Sequence, residues 1–230
     1  MKIADPTLKQ RFVESTERFM REYGFVFDHE LSDKEGIVFQ KNTPYPVSYR
    51  VTIVINSYLT FFSISVKLYI KSDQIERIRK DFTGTSYLGK LYFTVVASLN
   101  RVAQMYDRQE LKISPEQFND EESLREVNAK IESFFTQIGF SFFDRFRALN
   151  DFDVWFSKPL LEGTFDRRQG TPWNFAVDGL TAARLNGNPH YEELYQTWLT
   201  LLPEDHTNDI AMVKAVKAYL DNLPPDKLQG

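Results

Sequence analysis

The sequence predicts an α+β fold: an antiparallel four-stranded meander packed by helices, followed by a helical C-terminal unit. Three observations carry this. Two adjacent stretches, 47–55 and 62–70, alternate apolar and polar residues with a period of two, the pattern of strands with one buried face. The first 24 residues carry an apolar stripe at helical spacing. The last third contains three helix-start signals, each followed by another helical stripe.

The elements follow in order. Asp5-Pro6 is an N-cap followed by proline at the first helical position. Leu8, Phe12, Phe19 and Tyr23 then form the stripe, and Gly24 stands where a helix ends. Residues 25–30 and 36–41 read as short strands joined by a polar turn over 31–35. In the hairpin, Val47, Tyr49, Val51, Ile53 and Ile55 alternate with Ser48, Arg50 and Thr52. In its second arm, Phe62, Ile64, Val66, Leu68 and Ile70 alternate with Ser63, Ser65 and Lys67. A four-residue loop over 57–60 sets Arg50 directly opposite Lys67, a like-charge pairing that is destabilising on a sheet. Residues 73–82 read as a short charged helix. Over 91–107 both periods occur: Phe93, Val95 and Val96 favour strand, while Val95, Leu99, Val102 and Tyr106 fit a helix, which is the preferred reading. Leu124, Val127, Ile131, Phe134, Phe135 and Ile138 mark a strong helix that Gly139 is expected to end.

The segment 134–142 echoes 19–27, each a helix end followed by Gly-Phe. Strands are expected after the first copy and helix after the second, so the echo reads as similar helix ends and not as a duplication. Thr171-Pro172 opens a helix that Gly187 closes, Asn188-Pro189 opens the next, and the last begins near Thr207 or Asn208. The stripe Leu194, Trp198, Leu201 is expected to face Val213, Val216 and Leu220. The polar stretch 108–120 suggests a sheet domain over 1–110 and a mostly helical region over 111–230, packed separately or as one globule.

The 230 residues contain no cysteine, which excludes disulfides, thiolate metal sites and cysteine nucleophiles. Net charge is −4, a poor balance for binding nucleic acid. Residues 1–110 hold 16 Lys and Arg against 13 Asp and Glu, and residues 111–230 hold 12 against 19. The acidic half is compatible with a basic partner. No apolar run is long enough to span a bilayer, and the N-terminus lacks a signal-peptide pattern. A cytoplasmic protein that does not engage membranes is expected.

Gly84 to Lys90 has the spacing of a phosphate-binding loop, but Leu91 stands where the magnesium-binding hydroxyl belongs and the preceding segment is charged. An ordinary connecting loop is the reading. His29, His190 and His206 lack metal-ligand spacing. The acidic pairs Asp151/Asp153 and Glu192/Glu193 read as solvated helix faces. Arg167 and Arg168 precede a helix N-terminus, a place suited to an anion, with pairing to nearby carboxylates as the plainer reading. The aromatic run from Phe140 to Phe156 reads as core, because Asp144, Asp151 and Asp153 offset Arg145 and Arg147. No cofactor, metal or catalytic residue is expected.

The order of features over residues 7–157 resembles an uncharacterised bacterial family of unknown function. Its members open with an amphipathic helix running into a Gly-Phe strand start, here Phe19 to Phe27. A meander follows, here to Ile70, and then a helix before a phenylalanine-rich segment, here Glu121 to Phe156. The resemblance implies no catalytic residues; it implies a non-catalytic binding protein of immunity or adaptor type, acting on a protein partner. Candidate binding residues are Arg50, Thr52, Ser65 and Lys67 on the polar side of the hairpin, with Arg167 and Arg168. The alternative is an enzyme acting on a phosphorylated or anionic small molecule through these cations.

Overall fold

The structure, a computed structural model, describes residues 5–83, 93–113, 116–165 and 172–224. The chain divides into two compact units. One comprises Met1–Lys71 with Val95–Arg145, the other Ser72–Thr94 with Phe146–Gly230. This division differs from a cut at residue 110: the chain leaves the sheet after four strands, contributes a helix to the second unit, and returns to the sheet.

In the first unit, α1 spans Pro6–Glu22 and starts as its sequence dictates, with the Asp5 carboxylate accepting from the Thr7 N–H at 2.9 Å. It ends at Gly24, whose φ of 79° lets Gly24 and Phe25 N–H donate to the Arg21 and Met20 carbonyls. Strand β1 (Val26–Phe27) follows. The expected polar turn is instead helix α2 (His29–Glu35), capped by Asp28, which accepts from the Leu31 N–H at 3.0 Å. A short polar helix of about two turns and a polar turn share a composition, so only the cap distinguishes them.

Strands β2 (Ile37–Asn42), β3 (Val47–Ser57) and β4 (Phe62–Ser72) complete the antiparallel meander. Ile37 faces Ile53 and Phe39 faces Val51, which brings the apolar residues of β2 and β3 onto one side. Two further strands, β5 (Val95–Ser98) and β6 (Glu116–Phe118), pair with opposite ends of β4, giving a six-stranded sheet. The segment expected as helix is thus β5 followed by α4 (Leu99–Met105). Val95 and Ala97 are buried while Val96 and Ser98 are exposed. Four residues of period two precede the helical spacing of Leu99, Val102 and Ala103.

Helix α5 (Glu121–Phe134) does not end at Gly139. It continues through a π-helical turn (Phe135–Gly139) into α6 (Phe140–Phe143). Gly139 keeps helical angles, and a Cβ added there would lie 2.7 Å from the Phe135 ring and 2.8 Å from the Phe134 ring. The glycine makes room for aromatic packing; it does not stop the helix. As expected, the two echoing segments diverge, strand after Gly24 and helix after Gly139. Their rings meet: Phe19 lies 6.1 Å and Phe25 6.0 Å from Phe140. Phe12 stacks on Phe118 at 5.5 Å, and Phe118 packs on Phe62 at 5.3 Å. The aromatic stripe of α1 therefore meets the sheet in part through β6.

The second unit contains α3 (Asp73–Thr83), α7 (Leu149–Leu161), α8 (Pro172–Leu185), α9 (Tyr191–Leu201) and α10 (Thr207–Asp221). Its core gathers Ile78, Leu180, Leu194, Trp198, Val213, Val216 and Leu220. Leu202 is buried there, while Leu201, the expected third member of the stripe, lies at the partly buried margin. Among the described residues no helix is long and apolar enough to cross a membrane.

Candidate functional site

The hairpin of β3 and β4 carries four of the six residues expected to bind. Ser65 and Lys67 are exposed, but Arg50 and Thr52 are buried, with relative exposures of 7% and 3%. Alternation assigns residues to a side of the sheet; it does not say whether that side is covered. Arg50 stands opposite Gln40 of β2, and the Gln40 side-chain amide donates to Asp28, the cap of α2. This end of the polar side is engaged in local contacts.

The hairpin also turns more tightly than expected. Tyr58 N–H donates to the Phe61 carbonyl at 2.9 Å, which leaves Leu59 and Thr60 between them. The expected loop had placed Asn56 opposite Phe61. The frame at the turn moves by two residues, so the direct opposition of Arg50 and Lys67 no longer follows from it.

The tip was missed by sequence reasoning. Tyr58 and Leu59 are 53% and 59% exposed, and the Tyr58 ring stacks on Phe61 with centroids 4.6 Å apart. The available signal was a Tyr-Leu pair inside a turn, where glycine, asparagine or aspartate is usual.

In the helical unit, Asp151 and Asp153 have separate roles. Asp151 Oδ2 accepts from the Arg147 and Ala148 N–H groups at 2.9 and 2.8 Å, closing the start of α7. Asp153 is buried, contrary to the expected solvated face. It accepts from Ser157 Oγ at 2.6 Å, Asn186 Nδ2 at 2.7 Å, and Asn188 Nδ2 at 2.8 and 2.9 Å. A carboxylate leaves water at low cost only when its lone pairs are met in this way.

A second buried acid, Asp178, pairs with Arg79 of α3. Burial pushes its carboxyl up to about 7, while the guanidinium pulls the other way. On α9 and α10, Lys217 Nζ lies 3.0 Å from Glu192 and 2.6 Å from Asp221. It also sits over the Tyr191 and Tyr195 rings, at 4.9 and 5.3 Å from their centroids. Hydrogen bonds from Gln196 and then Lys217 hold the Glu192 carboxyl below the usual range.

His190 and His206 each contact an acid three residues on, Glu193 at 2.9 Å and Asp209 at 3.1 Å. His29 packs against Phe27 at 4.6 Å. Among the described residues no group of three or more His, Cys, Asp or Glu is placed to hold a metal ion. Arg167, Arg168 and the segment from Gly84 to Lys90 lie outside the described residues. Compared with protein-family models, curated proteins and solved structures, the chain matches none of them.

Proposed function

We propose that the protein is a non-catalytic binding protein of immunity or adaptor type that engages a protein partner through the end of its β3–β4 hairpin. The carrying observation is the exposed Tyr58-Leu59 tip, held in shape by the Tyr58–Phe61 stack and the hydrogen bond beneath it. Aromatic side chains supply large contact area at low conformational cost and are enriched at interfaces. Preorganisation by a closed turn lowers the ordering cost of association. Ser65 and Lys67, exposed further along β4, add polar contacts at the margin.

The test places a photoreactive amino acid at position 58 in cells that naturally produce the chain. The expected result is one discrete crosslinked protein, lost when Leu59→Asp is added and retained when Asp205→Ala is added in the helical unit. Absence of a discrete adduct, or an adduct indifferent to Leu59→Asp, overturns the reading.

A further inference from the structure

Asn186-Gly187 is the single Asn-Gly step in the sequence. We propose that Asn186 is a latent deamidation site which the fold protects, and whose product would release α7 from the α8–α9 junction. The chemistry needs only water. The Gly187 backbone nitrogen loses its proton to solvent base and attacks Asn186 Cγ. The Cγ–Nδ2 bond breaks, and the nitrogen takes up a proton and leaves as ammonia. Water then opens the resulting succinimide to aspartate or isoaspartate. Glycine is the most permissive following residue because no side chain hinders the attack.

Both reacting groups are tied down in the folded chain. Gly187, at φ 66°, donates its N–H to the Arg184 carbonyl at 3.2 Å, while Asn188 N–H reaches the Ala183 carbonyl at 2.9 Å. These two bonds form the Schellman closure of α8. The Asn186 amide nitrogen is held 2.7 Å from Asp153 Oδ2 and 3.2 Å from Asn150 Oδ1. Since a carboxylate only accepts, the nitrogen must face Asp153. Reaction requires the cap to open and the amide to leave its carboxylate together.

The neighbouring Asn188 is an internal control. Its amide is bound to the same Asp153 carboxylate, but Pro189 follows it and has no N–H to ionise. The structure therefore separates two amides with a common partner by whether the next nitrogen can attack.

The product reverses the sign of the contact. A carboxylate at 186 would confront the buried Asp153 carboxylate where an amide now donates, and like charges at that separation in a partly buried site repel. An isoaspartate would also lengthen the backbone inside the Schellman closure. A transient opening of the unit thereby becomes a permanent lesion.

The experiment incubates the intact wild-type protein, folded and in denaturant, in one mildly alkaline buffer and follows Asn186 and Asn188 by peptide mass mapping. Asn186 is expected to deamidate on the order of tenfold or more slowly when folded, because reaction must wait for local opening. Asn188 should stay unmodified in both. Equal rates at Asn186 in the two states, or reaction at Asn188 matching Asn186, overturns the proposal. The Asn186→Asp variant reproduces the aspartate product. It should melt several degrees below wild type or fail to accumulate as folded protein, whereas a wild-type melting temperature overturns the predicted release.

Discussion

Arg79 and Asp178 meet at 2.7 Å inside the helical unit, with only 1% and 4% of their side chains exposed. The pair joins α3 to α8 across 99 residues of sequence. Such a pair is a strong constraint on geometry and a weak source of stability, since both groups surrender hydration to make it.

Its pH dependence has a definite sign. Burial raises the Asp178 carboxyl from 3.8 to about 7, so between those values the folded chain holds a proton that the unfolded chain releases. The contribution of this group to stability is greatest below the window and is lost as pH rises through it, by up to about 4 kcal/mol. Denaturant melts from acidic to neutral pH should show this component in wild type and lack it in Asp178→Asn. An identical pH profile in the variant would refute the assignment.

Lys217 has 13% of its side chain exposed, between two tyrosine rings and two more exposed carboxylates. Lys217→Met keeps the stem and removes the charge. The expected loss is about 1 kcal/mol, smaller at high salt because Glu192 and Asp221 face solvent. Melts at low and high salt measure it; a loss independent of salt would show that packing of the stem, and not charge, joins α10 to α9.

Gly139→Ala sets two principles against each other. Helix propensity alone favours alanine by about 1 kcal/mol. The new methyl, however, would sit under 3 Å from the Phe134 and Phe135 rings. Overpacking of that kind costs about 1–3 kcal/mol, so a net destabilisation is expected in urea melts. A stabilised variant would show that the rings yield freely.

Tyr58→Ser and Leu59→Ser should each change stability by no more than about 0.5 kcal/mol, as exposed positions do. Phe12→Ala, by contrast, removes a ring with no exposed surface and should cost roughly 3–5 kcal/mol. Thermal melts of the three variants compare them directly. A large loss at Tyr58 would mean that the tip supports the fold.

What the sequence made legible was whatever repeats. The hairpin arms alternate over seven residues each, 47–53 and 62–68, and the stripes of α9 and α10 recur over about two turns, so both stood out. Strand β5 offers only four alternating residues ahead of a helix, too few to separate two periods. Helix α2 has the composition of a turn. Asp153 looked solvated because its partners arrive 33 and 35 residues later, from a loop brought to it by the fold. Within the candidate site, the exposure of Ser65 and Lys67 followed from alternation. The burial of Arg50 and Thr52 did not, since it depends on what lies over that side of the sheet.

The interleaving of the two units orders events during synthesis. All of the sheet unit has left the ribosome once Arg145 emerges, but α3 is made long before the helices that share its core. Until α8 to α10 follow, Ile75, Ile78 and Arg79 have no core of their own to enter, and nascent chains with exposed apolar surface are prone to aggregate. A chain halted after residue 145 should finish its sheet yet carry this orphaned segment, the natural foothold for a chaperone or a protease.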